Sequence, residues 1–541
     1  MDRPGTPAGP GGPSPDRAPI SRRGLLAGGA GAAAAGLLAA ACGGPGGTGA
    51  PPSPGGRPRR GGDFRVGVAG GSPSDLFDGQ NFLSQPDEAR IVSMFEPLLI
   101  FDDDYQLRPW LAEEVTMENP SQWVIRLRKG IEFSNGKTLR AQDVIYSLRR
   151  IADPRNGLAG QTQLAAIDPT GFTVLDRYTV RVRLTSPNSV LDQGLGQYYN
   201  NVVPDGYQKW PAPQAGTGCF VVKSFTPGQQ SVSVRNPNYW HPGQPYFDTV
   251  TIIDFPDDTA RLNALLGGSI DAMTSVLTPQ IPTIQAHGGL SLLVSHNGEW
   301  LPICMAIDMP PFDNNDVRQA MRLIVDRPAM IEQVLSGYGR VANDLFAPFD
   351  PDYDSALPQR HQDLEKARFL LRRAGAEKLS TTLHTTPGEA GMVTMASVLA
   401  TQAARAGVTI SVQDDPNYYG NQYLKLAFSV DFWGTRNYLP QVALSMLPGS
   451  PFNETHWPPR SGPGSGYASL YRQALSSSSP SLRRELIHQM QAIEYDYGGY
   501  IIPFYLNLIG AYSDRVRGFT PSKGTVPLGY FGHGFRTIWF A

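Results

Sequence analysis

The sequence is poor in cysteine, in excess charge and in clustered histidine, and each shortage excludes a class of protein. Three cysteines among 541 residues are too few for a fold that is held together by disulfide bonds. A formal net charge of −2 provides no basic excess for a nucleic-acid partner. None of the eight histidines follows another at i,i+3 or i,i+4, so neither a metal nor another cofactor is expected. The length exceeds what a single core supports, which predicts several domains.

Local motifs of catalysis are missing as well. The stretch 130–138 looks like a phosphate loop, but five residues separate its glycines where the motif needs four. Asn135-Gly136 between apolar flanks instead predicts a hairpin turn, because both residues tolerate positive φ. No Gly-x-Ser-x-Gly elbow is present. The sequence therefore predicts no enzyme, although a triad whose members are distant in sequence would leave no such motif.

Glycine and proline are concentrated in the first 62 residues, which also contain the parts of an export signal. The pair Arg22-Arg23 precedes an uncharged stretch of Gly, Ala and Leu that stops at small residues before Cys42. The arginine pair resembles a twin-arginine signal, and the small residues resemble a bacterial lipobox, whose cysteine is lipidated. We therefore predict a signal peptide over 1–42, lipidation at Cys42 and a flexible tether over 43–60.

Two alternatives to a lipoprotein stay open, a cleaved signal without a lipid and a retained membrane anchor. The lipobox departs from the usual pattern, because Ala39 stands where a leucine is usual. The uncharged stretch 24–41 would barely span a bilayer and is rich in alanine and glycine. The lipoprotein interpretation places the protein on the extracellular face of the cell membrane, where no ATP pool exists.

The rest of the chain alternates strand and helix patterns, which indicates a mixed α/β fold. Alternation of apolar and polar residues predicts half-buried strands at 123–127, 180–184 and 232–234. Apolar residues spaced i, i+3, i+4 and i+7 predict amphipathic helices, two of them with an aspartate cap before and a glycine after. These helices begin near Ala141, Asp316, Asp326 and Asp363, and the last two end at Gly337 and Gly375.

Several ordered segments carry a family resemblance. They include Phe95-Glu96-Pro97-Leu98-Leu99, Arg235-Asn236-Pro237-Asn238-Tyr239-Trp240 and Gly267-Gly268-Ser269-Ile270-Asp271. The others are 107–114, 123–144, 216–220, 311–313, 317–320, 326–327 and 363–375. In this order they resemble extracellular solute-binding proteins of family 5, the dipeptide-, oligopeptide- and nickel-type receptors of ABC importers. The match covers nearly all of 61–541.

This resemblance implies an α/β periplasmic-binding-protein-like fold (class II), with two lobes that close on a ligand and an extra domain near the N-terminus. A hinged cleft desolvates the polar groups of its ligand only when it is occupied, which suits a binding protein. The boundaries expected from the resemblance are lobe I at 61–95, 213–300 and 503–541, the extra domain at 96–212, and lobe II at 301–502.

Family members that bind peptides use a segment resembling Trp-x-x-Asp-Tyr, whose aspartate pairs with the free α-amine. The corresponding stretch here runs from Trp433 to Tyr438, with Arg436 or Asn437 in place of the acid and one residue more in the spacing. An arginine cannot accept a hydrogen bond and repels an ammonium, so ligands with an anion or a blocked amine, or neutral polyols, are favoured. Asp431 is a partial substitute, and an Arg436 that points to solvent is the alternative interpretation.

Aromatic residues are dense around this segment and are candidate walls of a cleft, although core packing explains each of them equally well. The predicted ligand-binding set is Trp433, Arg436, Asn437, Tyr438, Tyr418, Tyr419, Tyr505 and Trp300. The leading hypothesis is a monomeric, lipid-anchored receptor that delivers a peptide-like or other amphiphilic small molecule to an ABC permease and ATPase. The alternatives are an extracellular hydrolase and a solute sensor outside any importer.

Overall fold

The structure, a computed structural model, describes residues 57–82, 84–415, 417–524, 528 and 535–541. The predicted signal peptide, the lipidation site Cys42 and most of the tether lie outside these residues. In the described ranges, no helix has both the length and the apolar character that a membrane crossing requires.

The largest sheet has eight strands that come from distant parts of the chain. Its order is β10-β11-β12-β1-β13-β21-β14, with β16 paired to β21 off this path. The strands are β1 (Asp63–Ala69), β10 (Phe220–Thr226), β11 (Gln230–Arg235), β12 (Thr249–Phe255), β13 (Ala272–Met273), β14 (Leu290–Trp300), β16 (Gly339–Val341) and β21 (Phe504–Ser513). Helices that pack on the sheet include α1 (Gln85–Met94), α5 (Asp258–Leu266) and α6 (Ile281–Ala286).

A second, four-stranded antiparallel sheet has the order β5-β6-β8-β7 and its own apolar core. Its strands are β5 (Ala112–Asn119), β6 (Gln122–Leu127), β7 (Ile167–Asp176) and β8 (Thr179–Leu184). Around it lie α2 (Ala141–Ala152), α3 (Gln161–Leu164), α4 (Leu191–Leu195) and two small ladders. The ladders pair β2 (Glu96–Pro97) with β9 (Asn201–Val202), and β3 (Leu99–Phe101) with β4 (Leu107–Pro109).

A third, five-stranded sheet has the order β18-β17-β19-β15-β20. Its strands are β15 (Ile303–Met305), β17 (Ser380–Thr385), β18 (Thr409–Asp414), β19 (Phe428–Val430) and β20 (Tyr500–Ile501). The helices of this part are α7 (Asn315–Ile324), α8 (Arg327–Leu335), α9 (Leu364–Arg373), α10 (Met392–Ala404), α11 (Tyr438–Ser445), α12 (Tyr467–Ser476) and α13 (Pro480–Tyr497). Near the C-terminus β22 (Val516–Arg517) pairs with β23 (Trp539–Phe540).

The local predictions from periodicity and capping are confirmed. The three predicted strands are β6, β8 and β11, and the four predicted helices are α2, α7, α8 and α9. Asp326 and Asp363 cap their helices, since their carboxylates accept from Ala329 N at 3.1 Å and from Lys366 N at 2.8 Å. Gly136, with φ of 81°, lies in the predicted hairpin turn, which Phe133 N closes by donating to Lys137 O at 2.9 Å.

Candidate ligand-binding cleft

The candidate site lies where two long strands of the large sheet reach the five-stranded sheet. β14 and β21 pair along most of their length, and at the end of this ladder Trp300 is opposite Tyr505. Trp300 also bridges to Trp433: its N–H donates to Trp433 O at 2.8 Å, and Trp433 N donates to Trp300 O at 2.9 Å. Three of the sequence-predicted ligand residues are therefore brought together at the junction of the two sheets.

Four aromatic rings are stacked in series at this junction. Phe346 lies between Trp300 and Tyr438, with ring centroids 5.5 Å and 5.2 Å away, and Trp300 lies 6.1 Å from Trp433. All four side chains are at most 1% exposed. Stacked pairs at such distances contribute about 0.5–1.5 kcal/mol each beyond the area that they bury. The rings belong to one buried apolar core, which also contains Tyr505, whose hydroxyl donates to Leu345 O at 2.7 Å.

Two buried glutamates accept hydrogen bonds from the polar atoms of this ring stack. Glu454 accepts from Trp433 Nε1 at 3.1 Å and from the Tyr500 hydroxyl. Glu494 accepts from the hydroxyls of Tyr438 and Tyr467. Burial raises the pKa of Glu494 to about 7, and the two tyrosine hydrogen bonds offset part of this rise. The Tyr438 hydroxyl is therefore part of a buried hydrogen-bond network that joins α11, α12 and α13.

Arg436 occupies the place of the missing acid and is buried, with 3% of its surface exposed. The interpretation in which it points to solvent is therefore wrong. Its guanidinium lies 5.3 Å from the Trp433 ring centroid, and Nη1 donates to Gln441 Oε1 at 3.3 Å. Its positive charge also acts on Tyr199, which belongs to the part of the chain that carries the four-stranded sheet. Arg436 thus sits between the five-stranded sheet and residues from the N-terminal half.

The tyrosines that face Arg436 connect it to a buried acid. Burial raises the pKa of Tyr105, Tyr198 and Tyr199, and the positive charge of Arg436 opposes this rise in all three. The rings of Tyr198 and Tyr199 meet edge to face, 4.8 Å apart, and the Tyr198 hydroxyl donates to Glu88 Oε1 at 3.0 Å. Cationic and acidic groups therefore lie at the two ends of a tyrosine pair.

Asn437 positions the start of α11. Its Nδ2 donates to Asp350 Oδ2 at 3.2 Å, and the same oxygen accepts from Tyr438 N at 2.7 Å. Asp350 thereby satisfies an N–H at the helix N-terminus, where a negative charge is favourable. Asn437 holds the geometry of the segment that carries Arg436.

Tyr418 and Tyr419 lie in a different cluster from the stacked rings. Their rings meet edge to face, 4.8 Å apart, and the Tyr419 hydroxyl donates to Asp431 Oδ1 at 3.0 Å. Asp431 is fully buried, and the same oxygen accepts from Phe432 N at 2.8 Å. The carboxylate is therefore engaged beside Tyr419, so the structure does not favour it as a substitute acid.

A cavity of about 410 Å³ lies between the large sheet and the helices that follow β15. Its walls come from α1, from 275–279, from Glu299, from the end of α8, from 389–394 and from β21. This volume is within the range of small-molecule sites. Among the described residues, no group of three or more His, Cys, Asp or Glu is arranged to hold a metal ion.

The sequence analysis missed the residues that face Arg436 and the cavity from the N-terminal half. Glu88 lies inside α1, and Tyr105 and Tyr199 lie in loops, so no local motif sets them apart. Glu299 is near the end of β14, two residues after Asn297, whose Oδ1 accepts from Glu299 N at 3.2 Å. None of these residues lies in a segment that carries the family resemblance, so the sequence offered no signal for them.

The comparisons with known proteins agree with this architecture. The family described as "Bacterial extracellular solute-binding proteins, family 5 Middle" matches residues 106–453. The glutathione-binding protein GsiB of Escherichia coli (strain K12) is 24% identical over 465 residues, which cover 82% of this chain and 89% of that protein. The chain therefore belongs to solute-binding protein family 5, as the ordered segments predicted.

Solved structures show the same two-lobe fold. The substrate-binding protein CtaP of Listeria monocytogenes superposes with a TM-score of 0.78 at 18% identity, covering 89% of this chain and all of that one. The oligopeptide-binding protein AppA of Bacillus subtilis, in complex with a nonapeptide, gives a TM-score of 0.71 at 20% identity, covering 90% of this chain and 100% of that one. The predicted α/β periplasmic-binding-protein-like fold is confirmed.

Proposed function

We propose that this protein is a non-catalytic receptor, anchored by a lipid at Cys42 to the extracellular face of the cell membrane. It delivers a peptide or peptide-like solute to the permease and ATPase of an ABC importer and acts as a monomer. Family membership supports the receptor role, and relatives that bind glutathione and a nonapeptide support the ligand class. The export signal and its lipidated cysteine rest on the sequence pattern of 1–42 alone.

The two lobes meet at the cleft described above. We assign lobe I to 61–95, 213–300 and 503–541, the extra domain to 96–212 and lobe II to 301–502. In support, seven strands of the large sheet fall within the lobe I ranges, and all strands of the five-stranded sheet fall within 301–502. The strand β16 crosses this division, since it comes from 339–341 and pairs with β21.

The burial of Arg436 is the observation that supports the proposed chemistry of the ligand. Its guanidinium lies against Trp433, Gln441 and Tyr199, at the point where a peptide amine would otherwise find an aspartate. A planar guanidinium fork suits a carboxylate or several carbonyl oxygens. The ligand therefore turns an anionic or carbonyl-rich group toward lobe II.

Native mass spectrometry of the purified protein tests the proposal, because a closed cleft retains its cargo. We expect a co-purified peptide-like small molecule that is released unaltered and that changes tryptophan fluorescence when it is added back. A released compound whose mass changes with incubation would identify a hydrolase instead. Normal uptake of the solute by a deletion strain would favour a sensor outside any importer.

A further inference from the structure

Three arginines stand where the described chain enters the fold. Arg57, Arg59 and Arg60 shortly precede β1, and all three are exposed. Among the described residues, no carboxylate forms a salt bridge with any of them, and the hydrogen bond from Arg60 Nε to Gly243 O is long, at 3.4 Å. Three positive charges within four residues are therefore turned to solvent without a counter-charge in the described chain.

The carboxylates beside the start of β1 are already engaged. Asp248 accepts from Arg235 Nη2 at 2.8 Å and from Gly62 N at 3.1 Å. Asp63 accepts from Thr249 Oγ1 at 2.5 Å. The whole protein has a formal net charge of −2, so its overall charge does not attract an anionic partner. Such attraction has to come from a local cluster of basic residues.

The same edge of lobe I carries a further exposed arginine. A side chain at Gly62 would meet the ring of Phe540, and the guanidinium of Arg515 lies 4.9 Å from the centroid of that ring. Arg515 shares the carboxylate of Asp271 with Arg65, at 3.4 Å and 3.0 Å. One carboxylate thus balances two guanidiniums, which adds a positive charge near the entry of the chain.

The arginine cluster also lies close in sequence to the proposed lipid anchor. Cys42 precedes Arg57 by 15 residues. A chain of 15 residues spans at most about 50 Å even when it is fully extended. A lipid at Cys42 would therefore keep the cluster near a bilayer surface. Guanidinium groups bind phosphate through paired hydrogen bonds, and each basic residue at an anionic surface strengthens binding by a factor of about five.

We infer that Arg57, Arg59 and Arg60 bind the phosphate groups of anionic phospholipids in the membrane to which Cys42 is anchored. The inference deepens the proposed function and depends on its lipid anchor. The contact holds the N-terminal edge of lobe I against the bilayer that contains the permease. The end of the tether then binds the membrane in addition to the lipid.

A vesicle-binding experiment tests this inference independently of lipidation in the cell. The full mature chain, from Cys42 to Ala541, is alkylated at Cys42 with one tetradecyl group, while Cys219 and Cys304 are protected by burial. Mass spectrometry checks that one group is attached. A single chain of this length gives only reversible membrane binding, so additional affinity can be measured. Co-sedimentation with phosphatidylcholine vesicles, with and without about 30% phosphatidylglycerol, gives the binding constants at low and high salt.

Two variants with the same loss of charge are compared with the parent. The tether variant is Arg57→Gln/Arg59→Gln/Arg60→Gln. The matched control is Arg372→Gln/Lys378→Gln/Arg405→Gln, which removes three charges from exposed positions in lobe II.

At low salt, we expect the parent and the control to bind the anionic vesicles roughly tenfold to a hundredfold more tightly than the neutral ones. High salt should reduce this preference, and the tether variant should bind both vesicle types almost equally. Equal binding by the parent would overturn the inference, and so would a control that loses as much preference as the tether variant. Both results would leave the receptor function intact. Failure of Cys42 to be lipidated in cells, which fractionation of Cys42→Ala detects, would overturn the anchor and with it the inference.

Discussion

Glu494 makes the stability of this protein depend on pH in a predictable direction. Its carboxyl accepts two tyrosine hydroxyls in a fully buried network, and burial raises its pKa from the usual 4.5 to about 7. The native state therefore keeps a proton that the unfolded chain loses above pH 4.5. Stability should fall as the pH rises from about 4.5 to about 7 and then level off.

The size of this effect follows from the shift in pKa. A difference of one pKa unit corresponds to about 1.4 kcal/mol, so ionisation of Glu494 costs the folded state about 3 kcal/mol at pH 8. Glu494→Gln keeps an oxygen for Tyr438 and Tyr467 but cannot ionise. Relative to the parent, the variant should therefore be about 2.5 kcal/mol more stable at pH 8 than at pH 5, because the parent has already lost about 0.8 kcal/mol at pH 5.

Urea unfolding followed by tryptophan fluorescence at pH 5, 6, 7 and 8 measures this difference. Glu485→Gln is the matched control, since Glu485 lies on the same helix α13 and is exposed. The control should follow the parent at every pH. If the difference between Glu494→Gln and the parent is the same at pH 5 and pH 8, the carboxyl is ionised in the native state throughout, and the reasoning from burial fails.

Three further predictions concern the anchor and the cleft. Cys42→Ala should leave the protein unprocessed or release it into the medium; a variant that stays membrane-bound at the processed mass contradicts lipidation. Trp433→Ala should lower the unfolding free energy of the empty protein by about 3–5 kcal/mol, because the buried indole and its bond to Glu454 are lost; near-parental urea unfolding contradicts this. Arg436→Gln should abolish, in calorimetry, a preference for Ala-Glu-Ala over Ala-Gln-Ala, and an unchanged preference separates Arg436 from the ligand.

The elements were predictable from the sequence because their signals are local. Asp326 and Asp363 cap helices through bonds that reach only three residues along the chain, and the hairpin at Asn135-Gly136 depends on two neighbouring residues. Family segments then supplied the order of the elements, which periodicity does not encode. The two-lobe fold followed from that order.

The composition of the cleft was less predictable, because its residues come from distant parts of the chain. Arg436 and Trp433 could be found through the segment that resembles a peptide site. Glu88 and Tyr198 could not, since one sits in an ordinary helix and the other in a loop, and their hydrogen bond joins residues 110 positions apart. Burial also separates residues of one type that look alike in sequence: the Tyr438 hydroxyl donates to Glu494, whereas the Tyr199 hydroxyl accepts from Gln163 Nε2 at 2.8 Å.

The strand β16 changes how the two lobes can move. Arg340 in this strand is opposite Tyr505 of β21, which in turn is opposite Trp300 of β14, so three strands lie side by side where the lobes join. Opening the cleft must then bend a hydrogen-bonded ribbon, whereas a single-chain linker would only turn about a few backbone bonds. Three hydrogen-bonded strands resist bending more than a single-chain linker does. Ligand affinity would therefore depend on the stiffness of these three strands as well as on contacts within the cleft.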